Sequence, residues 1–363
     1  MQYRLEDALK YEQPSKYIVQ SEEYSTDISL VPVLTAGKTF ILGYTEENQG
    51  ICKASSAPVI LFDDFTADSR YIDFDFKVKS SAVKILHKMN TEDNLKYFYY
   101  AMQAIKYKPF SHKRVWISEY SKFTVKQRTP NEQNTIVAML DKLENAIKNA
   151  KQRLIELDEL VKSRFIEMFG QYFEDENNLC KLEEICNATI GLTYKPTNVS
   201  STGTIVLRSG NIQDNELYLQ DDIVRVSNIK INDDKYIREN DILMCSRNGS
   251  ARLVGKSCLI TKIQEPMSFG AFMTVIRCEY PYFLQAFFSS DYFKQQLTGT
   301  QTASVNQITT KMLYNYVVIK PKKEDENTFA EFVKQVDKSK FIVQKQIDDL
   351  QELLDSKMDE YFG

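Results

Sequence analysis

The sequence has little of what membrane and secreted proteins need. Its 363 residues contain no apolar run near the ~18 residues that a membrane-spanning helix requires. The charged stretch Gln2–Lys10 follows Met1 directly, so no apolar signal-peptide core is present there. We therefore expect a soluble, cytoplasmic protein that makes no contact with a membrane.

Residues that bind metals or cofactors are also scarce. There are two histidines and six cysteines, and no two cysteines have CxxC spacing, so we expect no metal site and reduced thiols. The sequence has no GxxxxGK[ST] loop for ATP phosphates, no glycine-rich turn for a nucleoside cofactor and no Asn-Pro-Pro-aromatic tetrad. These absences predict a chain that has no catalytic residues and binds no cofactor of its own.

One group of carboxylates leaves an alternative open. Asp63, Asp64, Asp73 and Asp75 are close enough in sequence to form a compact nuclease site. The same residues are typical of solvated loops and local turns.

A long segment occurs twice. Residues 134–170 align with residues 327–363 without a gap, at an offset of 193. The first copy ends in Glu167-Met168-Phe169-Gly170 and the second in Glu360-Tyr361-Phe362-Gly363. Apolar residues in both copies recur at alternating steps of three and four, which predicts two long helices that pair as a coiled coil. The predicted seam consists of Leu140, Leu143, Ile147, Leu154, Leu157 and Val161 in the first helix and Val333, Val336, Val343, Ile347, Leu350 and Leu354 in the second.

Each helix is predicted to span ~34 residues, which makes a rod on the order of 50 Å long. Lys340 stands at a seam position of the second helix. It either sets the register of the pair or extends its amine to water.

The segments between the helices repeat more loosely. Val33-Leu34-Thr35-Ala36-Gly37 resembles Val206-Leu207-Arg208-Ser209-Gly210, and both segments mix short strands with short helices. The fold class is therefore α+β, with two α+β domains that alternate with two long helices paired as an antiparallel coiled coil. The predicted boundaries are 1–130 and 171–321 for the domains and 131–170 and 322–363 for the helices.

The acidic residues are concentrated in the helices. The chain has a net charge of −4, whereas residues 1–130 and 179–321 each have a net charge of +2. This weak positive charge favours nucleic-acid binding only where the basic groups cluster.

This arrangement resembles the specificity subunits of type I restriction–modification systems over the whole chain. The stretches that are most similar to the family are the domain-to-helix junctions and one domain opening. They are Tyr107–Pro109 with His112-Lys113-Arg114, Trp116-Ile117 and Pro130-Asn131-Glu132-Gln133, then Val206–Ile212, then Gly299-Thr300-Gln301-Thr302 with Val317–Pro321.

The resemblance implies a non-catalytic subunit for sequence-specific recognition of double-stranded DNA. Each domain would recognise one half of a bipartite target, and the helices would dock two adenine-methyltransferase subunits. S-adenosylmethionine and ATP are then expected on partner subunits, with an ATP-dependent restriction subunit in the full complex. The alternative is a non-enzymatic scaffold with two protein-binding domains on a coiled-coil spacer.

Side chains that recognise bases are Arg and Lys for guanine, Asn and Gln for adenine, and Ser and Thr for either. The candidates are Lys38, Arg70, His112, Lys113 and Arg114 in the first domain and Arg208, Ser209, Asn211, Arg247, Asn248, Arg252, Gln301 and Thr302 in the second, with Gln307 nearby. The loop Cys245–Lys256 is the strongest of these, because glycines allow close approach to phosphate while arginines reach a groove. Lys77, Lys79 and Lys84 alternate along a strand and either follow phosphates or form a solvated strand face.

Overall fold

The chain divides into two compact units. One consists of Met1–Lys151 with Lys345–Gly363, and the other of Gln152–Gln344. The computed structural model describes residues 2–37, 39–110, 113–300 and 306–363, with only the backbone of Gly299 and Thr300. Among these residues, no helix combines the length and the apolarity that crossing a membrane requires.

The first domain is built from short strands and two helices. The strands are β1 (Gln2–Arg4), β2 (Leu9–Glu12), β3 (Val31–Leu34), β4 (Ile41–Thr45), β5 (Val59–Asp63), β6 (Ser69–Ile72), β7 (Lys77–Val78), β8 (Val83–Lys88) and β9 (Thr124–Lys126). The helices are α1 (Leu5–Ala8) and α2 (Leu95–Ala104).

These strands form three sheets. An antiparallel sheet has the order β2-β8-β5-β6, a second has the order β4-β3-β7 with β3 and β7 parallel, and β1 pairs with β9. All five residues of β5 are buried, because the run Val-Ile-Leu-Phe packs on both faces of the sheet. Helix α2 covers one face with Tyr97, Phe98 and Tyr100. The Asn94 side chain caps its first turn by accepting from the Lys96 N–H at 3.0 Å.

The first long helix, α3, is Pro130–Phe169. At 40 residues it is longer than the ~34 expected, and its first turn includes Pro130 and the acidic Glu132. Proline suits the first helical position, and carboxylates near a helix N-terminus interact favourably with the helix dipole.

The second domain follows with the same kinds of element. Its strands are β10 (Leu179–Lys181), β11 (Cys186–Ile190), β12 (Val199–Ser200), β13 (Thr204–Leu207), β14 (Ile212–Gln213), β15 (Glu216–Leu217), β16 (Arg225–Val226), β17 (Ile242–Cys245), β18 (Ser257–Leu259), β19 (Met267–Phe269), β20 (Met273–Cys278) and β21 (Val317–Ile319). Its helices are α4 (Pro281–Ser289), α5 (Asp291–Thr300) and α6 (Thr310–Asn315).

The strand pairing of the first domain is repeated in the second. The antiparallel sheet has the order β11-β20-β17-β18, β13 pairs in parallel with β19, and β10 pairs with β21. One difference concerns the aromatic-rich stretch Tyr282–Phe293, which belongs to two helices where the first domain has the single helix α2. Helix α4 ends before Ser290, whose hydroxyl donates to the Phe287 carbonyl at 2.7 Å.

The last helix, α7, is Lys323–Phe362, also of 40 residues. In the first unit, Ile136 and Leu140 of α3 share an apolar cluster with Leu354 of α7. In the second unit, Phe165 and Phe169 near the end of α3 lie 6.1 Å and 5.5 Å from Phe329, measured between ring centroids. The start of each helix thus packs against the end of the other, and the predicted α+β fold with an antiparallel helix pair is confirmed.

All twelve predicted seam residues are buried or half-buried. They are Leu140, Leu143, Ile147, Leu154, Leu157, Val161, Val333, Val336, Val343, Ile347, Leu350 and Leu354. Lys340 does not extend to water. Its amine pairs with Asp158 of α3 at 2.9 Å and with Glu216 of β15 at 2.6 Å, which favours the register-setting alternative.

Equivalent glutamine and glutamate side chains join each long helix to its domain. Glu326 of α7 accepts from the backbone N–H groups of Tyr282 and Phe283 at 3.1 Å and 3.0 Å, at the start of α4. Gln133 of α3, at the matching repeat position, accepts from the Asn94 N–H at 2.8 Å. Burial raises the pKa of the Glu326 carboxyl to about 7, although the two hydrogen bonds act in the opposite direction.

We expect Glu326→Gln to remove a pH dependence of stability. Because the pKa is raised from 4.5 in the folded protein, this group lowers stability as pH rises from 4.5 through about 7. From pH 5 to pH 8 the loss amounts to about 3 kcal/mol at most. The free energy of unfolding, measured by urea titration and circular dichroism at both pH values, should fall in the parent and change less in the variant. The exposed Glu331→Gln is the matched control, and equal pH dependence in all three proteins would contradict this assignment.

Candidate nucleic-acid interface

Three connections of the second domain meet beside the parallel strand pair. The turn after β13 begins at Arg208, and its Ser209 hydroxyl accepts from the Asn248 side chain at 3.1 Å. Asn248 lies in the connection between β17 and β18, where the Arg247 N–H donates to the Phe272 carbonyl at 3.0 Å. Phe272 belongs to the connection between β19 and β20. Four of the predicted DNA contacts therefore lie in one cluster, namely Arg208, Ser209, Arg247 and Asn248.

A fourth segment joins this cluster from far along the chain. Gln307 forms an antiparallel bridge with Arg247, and the Ile308 N–H donates to the Ser246 carbonyl at 2.8 Å. The Asn306 side chain donates to the Gly249 carbonyl at 3.1 Å. The predicted residues Gln301 and Thr302, which precede this segment, lie outside the described residues.

The arginines of the cluster differ in their partners. Arg208 forms an ion pair with Asp222, so its charge is compensated. Arg247 bonds to the neutral amide of Gln307. Arg252 is exposed in the turn Ala251–Leu253, and within the described part of the chain it has no recorded ion-pair partner. Arg247 and Arg252 thus give the cluster its positive charge.

Asn211 has a different environment from its neighbours. It is 1% exposed, its oxygen accepts from the Arg208 N–H at 2.9 Å, and its amide donates to the Tyr218 carbonyl at 3.2 Å. These bonds close the turn after β13. The side chain holds this turn and does not face solvent.

The first domain has a similar arrangement with different side chains. The Asp64 carbonyl accepts from the Val115 N–H at 3.0 Å, as the Ser246 carbonyl accepts from Ile308. Arg114 therefore occupies the position of Gln307. It is exposed, like its neighbour Lys113, and donates to the Ser81 hydroxyl at 3.2 Å.

Arg70 lies on β6 and is exposed. Its guanidinium is 4.4 Å from the centroid of the Phe40 ring, on the connection between β3 and β4. This contact fixes the guanidinium next to the turn after β3, which matches the turn of Arg208. The candidates Lys38 and His112 lie outside the described residues.

Comparisons with known proteins agree with this architecture. Over 150 residues the chain is 47% identical to the specificity subunit of the Escherichia coli type I restriction enzyme EcoR124I/EcoR124II. This match covers 38% of the chain and 36% of that protein, about a third of its length. The crystal structure of the type I restriction–modification S subunit from M. genitalium superposes with a TM-score of 0.58 at 14% identity, over 100% of this chain and 96% of that one. No protein-family model matches the chain.

The predicted resemblance to type I specificity subunits is confirmed. The likeness in sequence is local, whereas the likeness in fold extends from one end of the chain to the other.

Two of the three lysines that were expected to alternate along a strand have other surroundings than the sequence suggested. Lys84 is 1% exposed and lies 3.4 Å from Asp64, which is equally buried, and Lys77 pairs with Glu47 at 2.6 Å. The interpretation that these lysines follow phosphates or form a solvated strand face is wrong, because neither faces solvent. Lys79 is exposed, with its amine 5.4 Å from the Tyr24 ring.

The acidic residues of the first domain have structural partners. Asp63 accepts from the Phe65 N–H at 2.9 Å and from the Thr66 hydroxyl at 2.7 Å. Asp75 binds Lys53 at 2.8 Å. Among the described residues, no three His, Cys, Asp or Glu side chains are grouped in a way that could hold a metal ion. Asp63 thus forms a turn, and Asp64 and Asp75 are ion-pair partners of lysines.

Phe272 belongs to the cluster around Arg247 but was not predicted from the sequence. Its ring is 57% exposed and lies 5.7 Å from the Arg247 guanidinium. A large aromatic residue directly after the Gly270-Ala271 turn was the available signal, because such turns place the next side chain at a loop surface.

Proposed function

We propose that the chain is the DNA sequence-recognition subunit of a type I restriction–modification complex. Each domain recognises one half of a bipartite duplex target, and the chain has no catalytic centre or cofactor of its own. Partner subunits supply S-adenosylmethionine and ATP chemistry. A relative that is 47% identical over 150 residues is by name the specificity subunit of a type I restriction enzyme, which supports the proposal.

The observation that carries the proposal is the repeated loop cluster. Two domains of one strand order each present an exposed arginine where the same two connections meet. In the first domain it is Arg114, at the position of Gln307, and in the second it is Arg247, which bonds to Gln307. Arginine, asparagine and glutamine are the side chains that distinguish bases in the major groove. Two similar recognition domains on one chain suit a target with two halves.

The long helices are proposed to dock two adenine-methyltransferase subunits, with an ATP-dependent restriction subunit in the full complex. Large apolar side chains on the outer side of α7 support this. Phe341 is 74% exposed and Ile342 is 66% exposed, although both lie in a helix whose other face is packed. Adjacent exposed apolar residues of this size are typical of protein interaction surfaces.

We expect Phe341→Ser with Ile342→Ser to weaken methyltransferase binding about 100-fold, since two buried aromatic and aliphatic contacts at an interface are worth about 3 kcal/mol together. The melting temperature should stay within about 2 °C of the parent, because neither side chain is packed. Binding is measured by isothermal calorimetry with the purified methyltransferase. The control is Ile28→Ser, which removes an equally exposed apolar residue from the first domain. Equal affinities in all three proteins would show that the partner docks elsewhere.

The function itself is tested by single-molecule mapping of methylated adenines in a host with and without the gene. The expected result is a new methylated motif of two short halves separated by an unrecognised spacer. Binding of the assembled complex to a duplex with this motif should weaken steeply as salt rises, because phosphate contacts release counterions. A continuous motif, or DNA binding with no sequence preference, would contradict the proposal.

A further inference from the structure

The Arg247 side chain is held by one neighbour through one of its two edges. Its Nε–H donates to Gln307 Oε1 at 3.0 Å, and Nη2 donates to the same oxygen. Nε and Nη2 form the side edge of a guanidinium. The bond to a single acceptor therefore fixes the plane of the group and leaves the end edge, formed by Nη1 and Nη2, without a recorded partner among the described residues.

The end edge has the geometry that guanine requires. Its two outward N–H bonds are parallel, and O6 and N7 of guanine are two acceptors side by side in the major groove. Adenine presents a donor at the position of O6, so the same edge discriminates between the two purines.

No carboxylate among the described residues compensates the charge of Arg247, in contrast to other arginines of the second domain. Arg225 pairs with Glu265 at 2.6 Å and 2.9 Å, and Arg277 pairs with Asp241 at 2.8 Å and 2.9 Å. These carboxylates neutralise their arginines. Gln307 orients Arg247 without neutralising it, which suits a group that has to meet an electron-rich acceptor.

The ring of Phe272 supports the guanidinium from a second direction. It lies 5.7 Å away and is mostly exposed, so it limits the rotation of the side chain and extends an apolar surface beside it. A side chain fixed before binding loses less conformational entropy when it binds. Fixed geometry favours contact with a base over contact with a phosphate, for which a mobile cation suffices.

We propose that Arg247, positioned by Gln307 and Phe272, recognises a guanine in the half-target of the second domain. The assignment rests on the proposed function and adds to it the base and the side chain. It requires that this half-target contain at least one G·C pair.

The test compares methylation motifs in a host that carries the full chain with its methyltransferase. Arg247→Ala should lower the preference for guanine at one position of one half by about 10- to 100-fold and leave the other half unchanged. Arg252→Ala, an exposed arginine of the same connection, is the matched control. It should weaken methylation evenly at all sites and keep the motif.

The positioning role of Gln307 has its own readout. Gln307→Ala frees the guanidinium to rotate, so the preference for guanine should fall while the affinity for DNA changes little. Gln307→Glu keeps an acceptor oxygen in place, so the preference for guanine should exceed that of Gln307→Ala, but its carboxylate neutralises Arg247, so the affinity for DNA should fall below that of the parent. Circular dichroism melting of each variant establishes that the domain is folded.

Different results overturn different claims. If the parent complex has a split motif and Arg247→Ala weakens all sites evenly, Arg247 contacts a phosphate and the assignment is wrong while the proposed function stands. If the half-target of the second domain contains no G·C pair, the assignment is likewise wrong and the proposed function still stands. If the parent complex methylates without sequence preference, both the proposed function and the assignment are wrong.

Discussion

Leu140→Asp is expected to unfold the first domain under conditions in which the parent protein is stable. Leu140 is fully buried in the cluster that holds Trp116 and the end of α7. Truncating a buried leucine costs about 2–5 kcal/mol, and a buried unpaired carboxylate costs more, so the loss should exceed about 4 kcal/mol. Trp116 is the only tryptophan of the chain, and its fluorescence in a urea titration therefore reports this domain alone.

The neighbouring residue provides the control. Met139 is on the same turn of α3 but 42% exposed, so Met139→Asp should change the free energy of unfolding by only about 0.5 kcal/mol. If the two variants show the same urea midpoint for Trp116, the seam does not stabilise the first domain.

Exchange of residues 179–321 for the matching domain of a relative is expected to replace one half of the methylation motif completely. The strand pair β10–β21 brings both ends of this segment together, with Leu179 opposite Ile319. The junctions are thus adjacent, and the graft does not need to span the domain. Both long helices stay intact, so partner docking should be retained.

The measurement is again single-molecule mapping of methylated adenines, now for the parent and the chimaera. The other half of the motif and the spacer should stay unchanged. The control for expression is a chain in which the same segment is replaced by its own sequence with silent codon changes. A motif altered in both halves would show that the two domains do not recognise DNA independently.

The sequence predicted the long helices and the domain repeat well, because both depend on periodic or repeated residues. The steps between Leu140 and Val161 define a helical face without knowledge of the partner. Strand order was inaccessible, since β13 and β19 are joined by a long connection and pair only after the chain has folded back. The helix end at Ser290 was also inaccessible, because apolar residues continue on both sides of it.

The candidate interface could be predicted only as a set of residue types. Arg247 and Gln307 are 60 positions apart, and nothing local to either shows that they meet. The burial of Lys84 was also inaccessible, because its partner Asp64 belongs to a different part of the chain. Long-range pairs of this kind depend on the tertiary fold, which local patterns do not encode.

The buried pair of Asp64 and Lys84 limits how the two domains can evolve. The matching positions in the second domain are Ser246 and Thr274, whose hydroxyls lie 2.9 Å apart. Changing one charged residue alone strands the other in an apolar interior at a cost of about 3–5 kcal/mol, whereas changing both is often neutral. A change from the Asp–Lys pair to the Ser–Thr pair by single substitutions therefore passes through a destabilised protein. Recombination that exchanges both residues together avoids this intermediate, so we expect variation at these positions to be inherited as blocks of sequence.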